Sequence, residues 1–269
     1  MQPPCCPSGP TPVAPPEDYQ EQGEEILVEA LPCYQSGEPT SQAAVLVLSD
    51  IFGWRSGRTR QICDKIASQG FLVILPNFFH DDGWDHNKPL TGWSCPWYFF
   101  KHLMWYGWYK HDPEKSRYSC SCLPVSSNVG TTLRHLVSHC GADSSRTLAV
   151  LGFCWGGWLA LRACGISGVS CGVAVHPTMN METFHGGDLG DAYKKIRVPV
   201  MCLSAGDDPV DAKPGGPLDE ALKSKPFGQE LAYCASFLRC AMVGSHAAAT
   251  MTPQFSEILG VGGWLWMPP

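Results

Sequence analysis

The chain has 269 residues, a formal net charge of −6, and only 16% charged residues against 44% hydrophobic. A chain this long buries roughly three quarters of its unfolded surface, so it needs neither disulfides nor a structural metal to hold a core. The acidic balance argues against a nucleic-acid partner, which calls for a basic patch. No run reaches the ~18 apolar residues of a membrane span.

Along the chain, residues 1–23 read as a disordered, proline-rich arm, with seven prolines in the first sixteen positions. Folded sequence is expected from Glu24, where EEILVEAL has strand character, and one domain is expected over 24–269. AAVLVLSD (43–50) is a short continuous apolar run of the kind buried on both faces of a parallel sheet. The next segment sets Ile62 and Ile66 one helical turn apart and stops at Gly70. FLVILP (71–76) reads as a second strand. Over 126–143, Val129, Leu133, Leu136, Val137 and Cys140 share one helical face. RTLAVLGF (146–153), VSCGVAVHP (169–177) and RVPVMCLSAG (197–206) complete a strand–helix alternation. That alternation predicts an α/β fold with a mostly parallel twisted sheet and helices on both faces. Between Trp84 and Trp108 lies a dense aromatic stretch, read as an amphipathic helix packing its rings on the sheet or as a cap over a pocket.

Fourteen cysteines are about 5% of the chain, below the disulfide-scaffold range. The N-terminus shows no basic and apolar leader, so a cytoplasmic setting and reduced thiols are expected. One CxC pair, Cys120 and Cys122, and no CxxC pair leave no framework for structural zinc, so no metal is expected. Most of the cysteines read as small apolar core residues.

One cysteine reads differently. In Leu151-Gly152-Phe153-Cys154-Trp155-Gly156-Gly157-Trp158, glycines stand two residues to either side of Cys154 at a predicted strand-to-helix join. That is the nucleophile-elbow pattern with cysteine in place of serine. The turn strains the backbone, and any side chain at those two positions would collide with its neighbours. The helix that follows aims its N-terminus at the sulfur, which favours thiolate, and the Trp155 N–H supplies an oxyanion donor. In a doubly wound sheet the loops at strand carboxyl ends converge on the ligand site. Ser49-Asp50-Ile51-Phe52-Gly53-Trp54 is such a loop, offering the Ile51 N–H as a second oxyanion donor and Asp50 as a nearby carboxylate. Ser204-Ala205-Gly206-Asp207-Asp208-Pro209 is another, with Asp208 the first choice for a catalytic acid and Asp207 the alternative. The fold's chain order is nucleophile, acid, histidine, and His246 is the one histidine downstream of those aspartates. His176 and His185 come too early for that order, and His176 reads as a loop residue beside the pocket.

The segments SDIFGWRSGRTRQICDKIASQGFLVILPNFF, GFCWGG, AVHP and SAGDDP together resemble the eukaryotic branch of the dienelactone hydrolase family, over residues 43–230. The resemblance implies an α/β-hydrolase fold and a Cys154–His246–Asp208 triad with oxyanion donors at Ile51 and Trp155. It also implies a carboxylate at Asp50 that helps release the thiolate. The reaction implied is hydrolysis of a small-molecule ester or lactone through an acyl-cysteine, with no cofactor. His80 stands where the family often carries a basic residue, and with Trp54 it is expected to border the substrate. The sequence departs from the family at its end. His246 is followed by Ala247-Ala248-Ala249-Thr250 rather than glycine, an aromatic and an arginine, and no long closing helix follows residue 230. A chain impaired in catalysis and kept for binding is therefore the alternative. A glutamine amidotransferase is disfavoured, because His246-Ala247-Ala248 lacks the late His-x-Glu of that class. A monomer is expected, with no partner beyond the small-molecule substrate.

Overall fold

The computed structural model describes residues 14–29, 31–79, 128–141, 146–184, 186–206, 208–227 and 233–237. Among the described residues eight strands build one sheet: β1 (Glu24–Val28), β2 (Leu31–Ser36), β3 (Ala43–Leu48), β4 (Leu72–Pro76), β5 (Thr147–Phe153), β6 (Cys171–Val175), β7 (Val200–Ala205) and β8 (Tyr233–Phe237). Their spatial order is β1-β2-β4-β3-β5-β6-β7-β8. β1–β2 and β2–β4 pair antiparallel, and every other neighbouring pair is parallel.

The helices among the described residues are α1 (Thr59–Ala67), α2 (Asn128–Cys140), α3 (Trp155–Ala163), α4 (Asn180–Phe184), α5 (Leu189–Lys195) and α6 (Pro217–Lys223), with a short 3-10 turn at Val210–Ala212. Strand side chains alternate between faces. Leu46, Leu48, Ile74, Leu148 and Val150 therefore pack on one side, against Leu133 and Leu136 of α2 and Trp155, Trp158 and Leu159 of α3. Val45, Val47, Val73, Leu75, Ala149 and Leu151 face the other side, against Ile62, Cys63 and Ile66 of α1. Leu161 and Cys164 join Tyr193 and Ile196 with Leu218 and Leu222 in a third cluster around β7. Burial on both faces is why the parallel strands read as unbroken apolar runs.

Two features differ from the sequence-based expectation. β2 and β8 lie outside the anticipated strands, and β8 extends the parallel sheet past residue 230 by pairing with β7. Residues 14–23 are not a loose arm. The buried Asp64 carboxylate on α1 accepts hydrogen bonds from the Tyr19 hydroxyl and, at 3.0 Å, from the Gln22 backbone N–H. It also accepts from the hydroxyls of Tyr34 (2.8 Å) and Ser36 (2.7 Å) in β2. Tyr34 oxygen in turn accepts from the Gly23 N–H at 2.7 Å. Beside this hub, Arg60 pairs with Glu21 at 2.6 Å and Glu25 at 2.9 Å and lies 4.6 Å from the Tyr34 ring centroid. A buried carboxylate survives only when its lone pairs are filled, and here segment, helix and strand all contribute donors.

No disulfide joins the eight cysteines among the described residues, and all eight are buried. Burial pushes the thiols of Cys33 and Cys140 up to about 12 and that of Cys171 to about 11, so these three are inert core groups at neutral pH. Asp64→Ala is expected to lower stability by about 2–4 kcal/mol, because it strands several buried donors at once. Urea unfolding monitored by tryptophan fluorescence measures the loss. Limited proteolysis should show faster cleavage within residues 14–23.

Candidate active site

Cys154 caps the N-terminus of α3 with φ 53° and ψ −112°, in the sparsely populated left-handed half of backbone space. The strain is held by close packing. A Cβ on Gly152 would lie 2.0 Å from the Gly156 carbonyl oxygen, and one on Gly156 would lie 2.2 Å from the Leu48 carbonyl oxygen. Neither position accepts a side chain, which is the elbow requirement read from the sequence. The same contact presses the elbow against the end of β3 and hence against the loop carrying Asp50 and Ile51.

Backbone hydrogen bonds fix the turn on its other side. The Cys154 N–H donates to Val175 oxygen (2.9 Å), and its carbonyl accepts from the N–H groups of Gly157 (3.0 Å) and Thr178 (3.0 Å). Cys154 Sγ lies 3.3 Å from Thr178 Oγ1. The Thr178 segment is anchored through α4, where buried Glu182 accepts from Trp158 Nε1 at 2.7 Å and lies 3.4 Å from Arg162. Trp155 directs its ring into the core, 4.9 Å from the Phe79 ring and 5.7 Å from the Phe78 ring. Its N–H is among the first of α3, where backbone donors lack intrahelical acceptors and lie at the positive end of the helix dipole.

Asp208 follows β7 with its side chain fully enclosed. Its Oδ2 accepts from the Ala205 N–H at 2.7 Å, and its Oδ1 meets Nδ1 of His176. His176 follows β6, has φ 51°, and donates its N–H to Leu203 oxygen at 2.7 Å. Asp50 follows β3, and its Oδ1 accepts from the Phe52 N–H at 2.9 Å. Part of the Asp50 residue touches solvent, while its carboxyl group is enclosed by protein. Burial raises this carboxyl to about 7, against the opposing pull of the Phe52 and Gly53 N–H groups and of charge on His176. Among the described residues no cluster of His, Cys, Asp and Glu is arranged to hold a metal.

A sequence profile described as the dienelactone hydrolase family matches residues 33–232. The chain belongs to the dienelactone hydrolase family. A carboxymethylenebutenolidase homolog of Rattus norvegicus is 31% identical over 198 residues, 72% of this chain and 67% of that protein. An endo-1,3;1,4-beta-D-glucanase of Zea mays is 27% identical over 190 residues, 70% of this chain and 51% of that protein. In fold, the chain is similar to a putative dienelactone hydrolase from Klebsiella pneumoniae, with TM-score 0.54 and 18% identity over 80% of this chain and 85% of that one. It is also similar to TT1662 from Thermus thermophilus, with TM-score 0.53 and 12% identity over 81% and 89% of the two chains. The fold is therefore the α/β-hydrolase fold of a hydrolase family.

Cys154, Trp155, Asp50, Ile51 and Asp208 all stand one to three residues beyond the carboxyl ends of the parallel strands β3, β5 and β7. The sequence places Trp54 beside the substrate. It is 2% exposed, packed on the α1 side of the sheet with the Arg60 guanidinium 4.5 Å from its ring centroid. Its indole is the apolar plate for a buried cation, which explains why an aromatic beside the site turned inward. His80, Asp207, His185, His246 and the aromatic stretch 84–109 lie outside the described residues. Sequence reasoning passed over Thr178 and read His176 only as a loop residue beside the pocket. The available signal was their place directly after a buried parallel strand, which chain-order reasoning set aside.

Asp50 gives a pH test. Between the ordinary aspartate value near 3.8 and about 7, the folded chain holds a proton that the unfolded chain has lost. Its contribution to stability is therefore greatest at low pH and is lost as pH rises through about 7. The urea midpoint of the wild type is expected to carry a component that declines from pH 5 to pH 8, and Asp50→Asn is expected to abolish that component.

Proposed function

We propose that the chain hydrolyses carboxylic esters or lactones of small molecules through an acyl-cysteine formed on Cys154. The observation that carries the reading is the strained elbow, which sets the Cys154 sulfur at the N-terminus of α3 with Thr178 Oγ1 at 3.3 Å. A structural core cysteine has no need of left-handed backbone or of two glycines that admit no Cβ.

The chemistry follows from the groups nearby. An imidazole takes the thiol proton, and Asp208, fixed by the Ala205 N–H, holds such an imidazole in the required tautomer. Chain order nominates His246 for that imidazole. The thiolate attacks the substrate carbonyl, and the N–H groups of Trp155 and Ile51 receive the oxyanion. Collapse expels the alcohol, which takes the proton from the imidazolium, or opens the lactone ring. Water, deprotonated by the same imidazole, then releases the acid. Asp50, poised near neutrality, helps shift the thiol toward thiolate when a substrate enters. None of these steps calls for a metal or organic cofactor. A reducing compartment such as the cytoplasm suits a thiol nucleophile. The chemistry needs neither nucleic acid nor a membrane, and no helix among the described residues is long and apolar enough to cross one.

Hydrolysis of p-nitrophenyl acetate tests the reading. The wild type is expected to turn over and to carry an acetyl group on the Cys154 peptide after rapid quenching. Cys154→Ala is expected to lose at least about 10³-fold in kcat/KM and to carry no adduct. Equal, background-level rates in both proteins would instead assign the fold to binding alone.

A further inference from the structure

Thr178 stands in the loop between β6 and α4, and its Oγ1 lies 3.3 Å from the Cys154 sulfur. That loop is bolted to the elbow from several sides. The Thr178 N–H donates to the Cys154 carbonyl at 3.0 Å, so the two residues are joined through backbone as well as side chain. The Thr178 carbonyl accepts from the Met181 N–H of α4 at 3.1 Å. Glu182 of the same helix accepts from Trp158 Nε1 of α3 at 2.7 Å, which ties α4 to the helix that Cys154 caps. The third glycine of the elbow serves the same contact. A Cβ on Gly157 would lie 3.0 Å from Pro177 Cα and 3.1 Å from Pro177 Cβ. Carbon atoms pack best at about 3.5–4.0 Å, so a side chain there would push the turn away. A bare α-carbon lets the Pro177–Thr178 turn close on α3 without displacement. Thr178 and Cys154 are therefore held as one body, with a half-buried hydroxyl beside a sulfur-bearing residue that is 8% exposed.

We propose that the Thr178 hydroxyl is a built-in donor to the Cys154 thiolate, which favours the nucleophilic form of the sulfur before any substrate binds. The inference rests on the proposed Cys154 hydrolase reading and adds to it a residue that touches the reacting atom. While the thiol keeps its proton, either atom can donate across the contact, and the bond joins two neutral groups. Once the proton has passed to the imidazole, sulfur can only accept, and the hydroxyl hydrogen turns to it. A neutral contact thereby becomes a charge-assisted one, roughly twice as strong. A hydrogen bond made better to the charged form favours that form. The hydroxyl keeps its own proton throughout, so Thr178 takes no proton from sulfur and forms no bond to the substrate carbon. The α3 dipole acts in the same sense. The hydroxyl differs in being a single directed donor, fixed by the surrounding backbone and free of reorganisation when charge develops.

The readout is the pH dependence of alkylation by iodoacetamide, followed on the Cys154 peptide by mass spectrometry. Thr178→Val removes the hydroxyl and keeps the branched shape. It is expected to move the midpoint of the wild-type profile up by about one pH unit. At pH 7 its kcat/KM on p-nitrophenyl acetate is expected to fall about tenfold, the loss that one unit implies. Above the shifted midpoint its alkylation rate is expected to rejoin that of the wild type, because both sulfurs are then fully ionised. Thr178→Ser keeps the hydroxyl and is expected to follow the wild-type profile. The inference is overturned if Thr178→Val keeps the wild-type midpoint, including the case in which it is slowed equally at every pH by damaged packing. It is also overturned if Thr178→Ser moves as far as Thr178→Val, since loss of the methyl group would then shift the profile as much as loss of the hydroxyl. In either case an acetyl adduct on wild-type Cys154 leaves the hydrolase reading standing. Absence of that adduct removes the hydrolase reading and this inference with it.

Discussion

The site depends on one steric constraint, the approach of the α3 N-terminus to the carboxyl end of β3. Gly156 lies so near the Leu48 and Ser49 carbonyls that a methyl group at its Cα would overlap both. That contact fixes where the helix starts, and the helix start fixes the left-handed turn at Cys154. From the turn follow the position of the sulfur, the direction of the first unsatisfied N–H groups of α3 and the closeness of the Asp50 loop. The strain of one residue in this region costs on the order of 1–3 kcal/mol, and the surrounding hydrogen bonds and packing on both faces offset it.

The second layer is electrostatic. Two carboxylates, Asp50 and Asp208, stand beyond strand ends on either side of β5, and their surroundings differ. Asp208 accepts from the Ala205 N–H on one oxygen and has the His176 imidazole against the other. Asp50 has backbone donors too, but its enclosure dominates and brings it close to neutrality. Asp50 is thereby able to change its charge near neutral pH.

Much of this was legible in the sequence, for a physical reason in each case. β3, β4, β5, β6 and β7 announce themselves because strands buried on both faces have no polar alternation to hide in. The elbow was legible because its glycines answer to steric exclusion, which few other residues satisfy. β2 was harder to see, since LPCYQS carries polar residues whose hydroxyls serve Asp64 rather than solvent. Trp54 reads in the sequence as a pocket wall, and its packing on Arg60 and the α1 face depends on contacts that linear order does not display. His176 reads only as a loop residue beside the pocket. The meeting of its Nδ1 with Asp208 is set by which strands are neighbours in space, and linear reading does not display that either.

The Asp64 hub has an evolutionary consequence. Tyr19, Gln22, Tyr34 and Ser36 all donate to a single carboxylate on α1. Arg60, one turn earlier on that helix, is held between Glu21, Glu25 and the ring of Trp54, four residues after Asp50. These positions are scattered over nearly fifty residues of chain, yet each constrains the chemistry allowed at the others. Drift should therefore be correlated across them: a lineage that loses the aspartate has little reason to keep the two hydroxyls, and one that keeps it is bound to keep most of its donors. Because the chain of contacts ends beside the Asp50 loop, selection for the hydrolytic site reaches back into a stretch of N-terminal sequence whose composition alone would have marked it as free to vary.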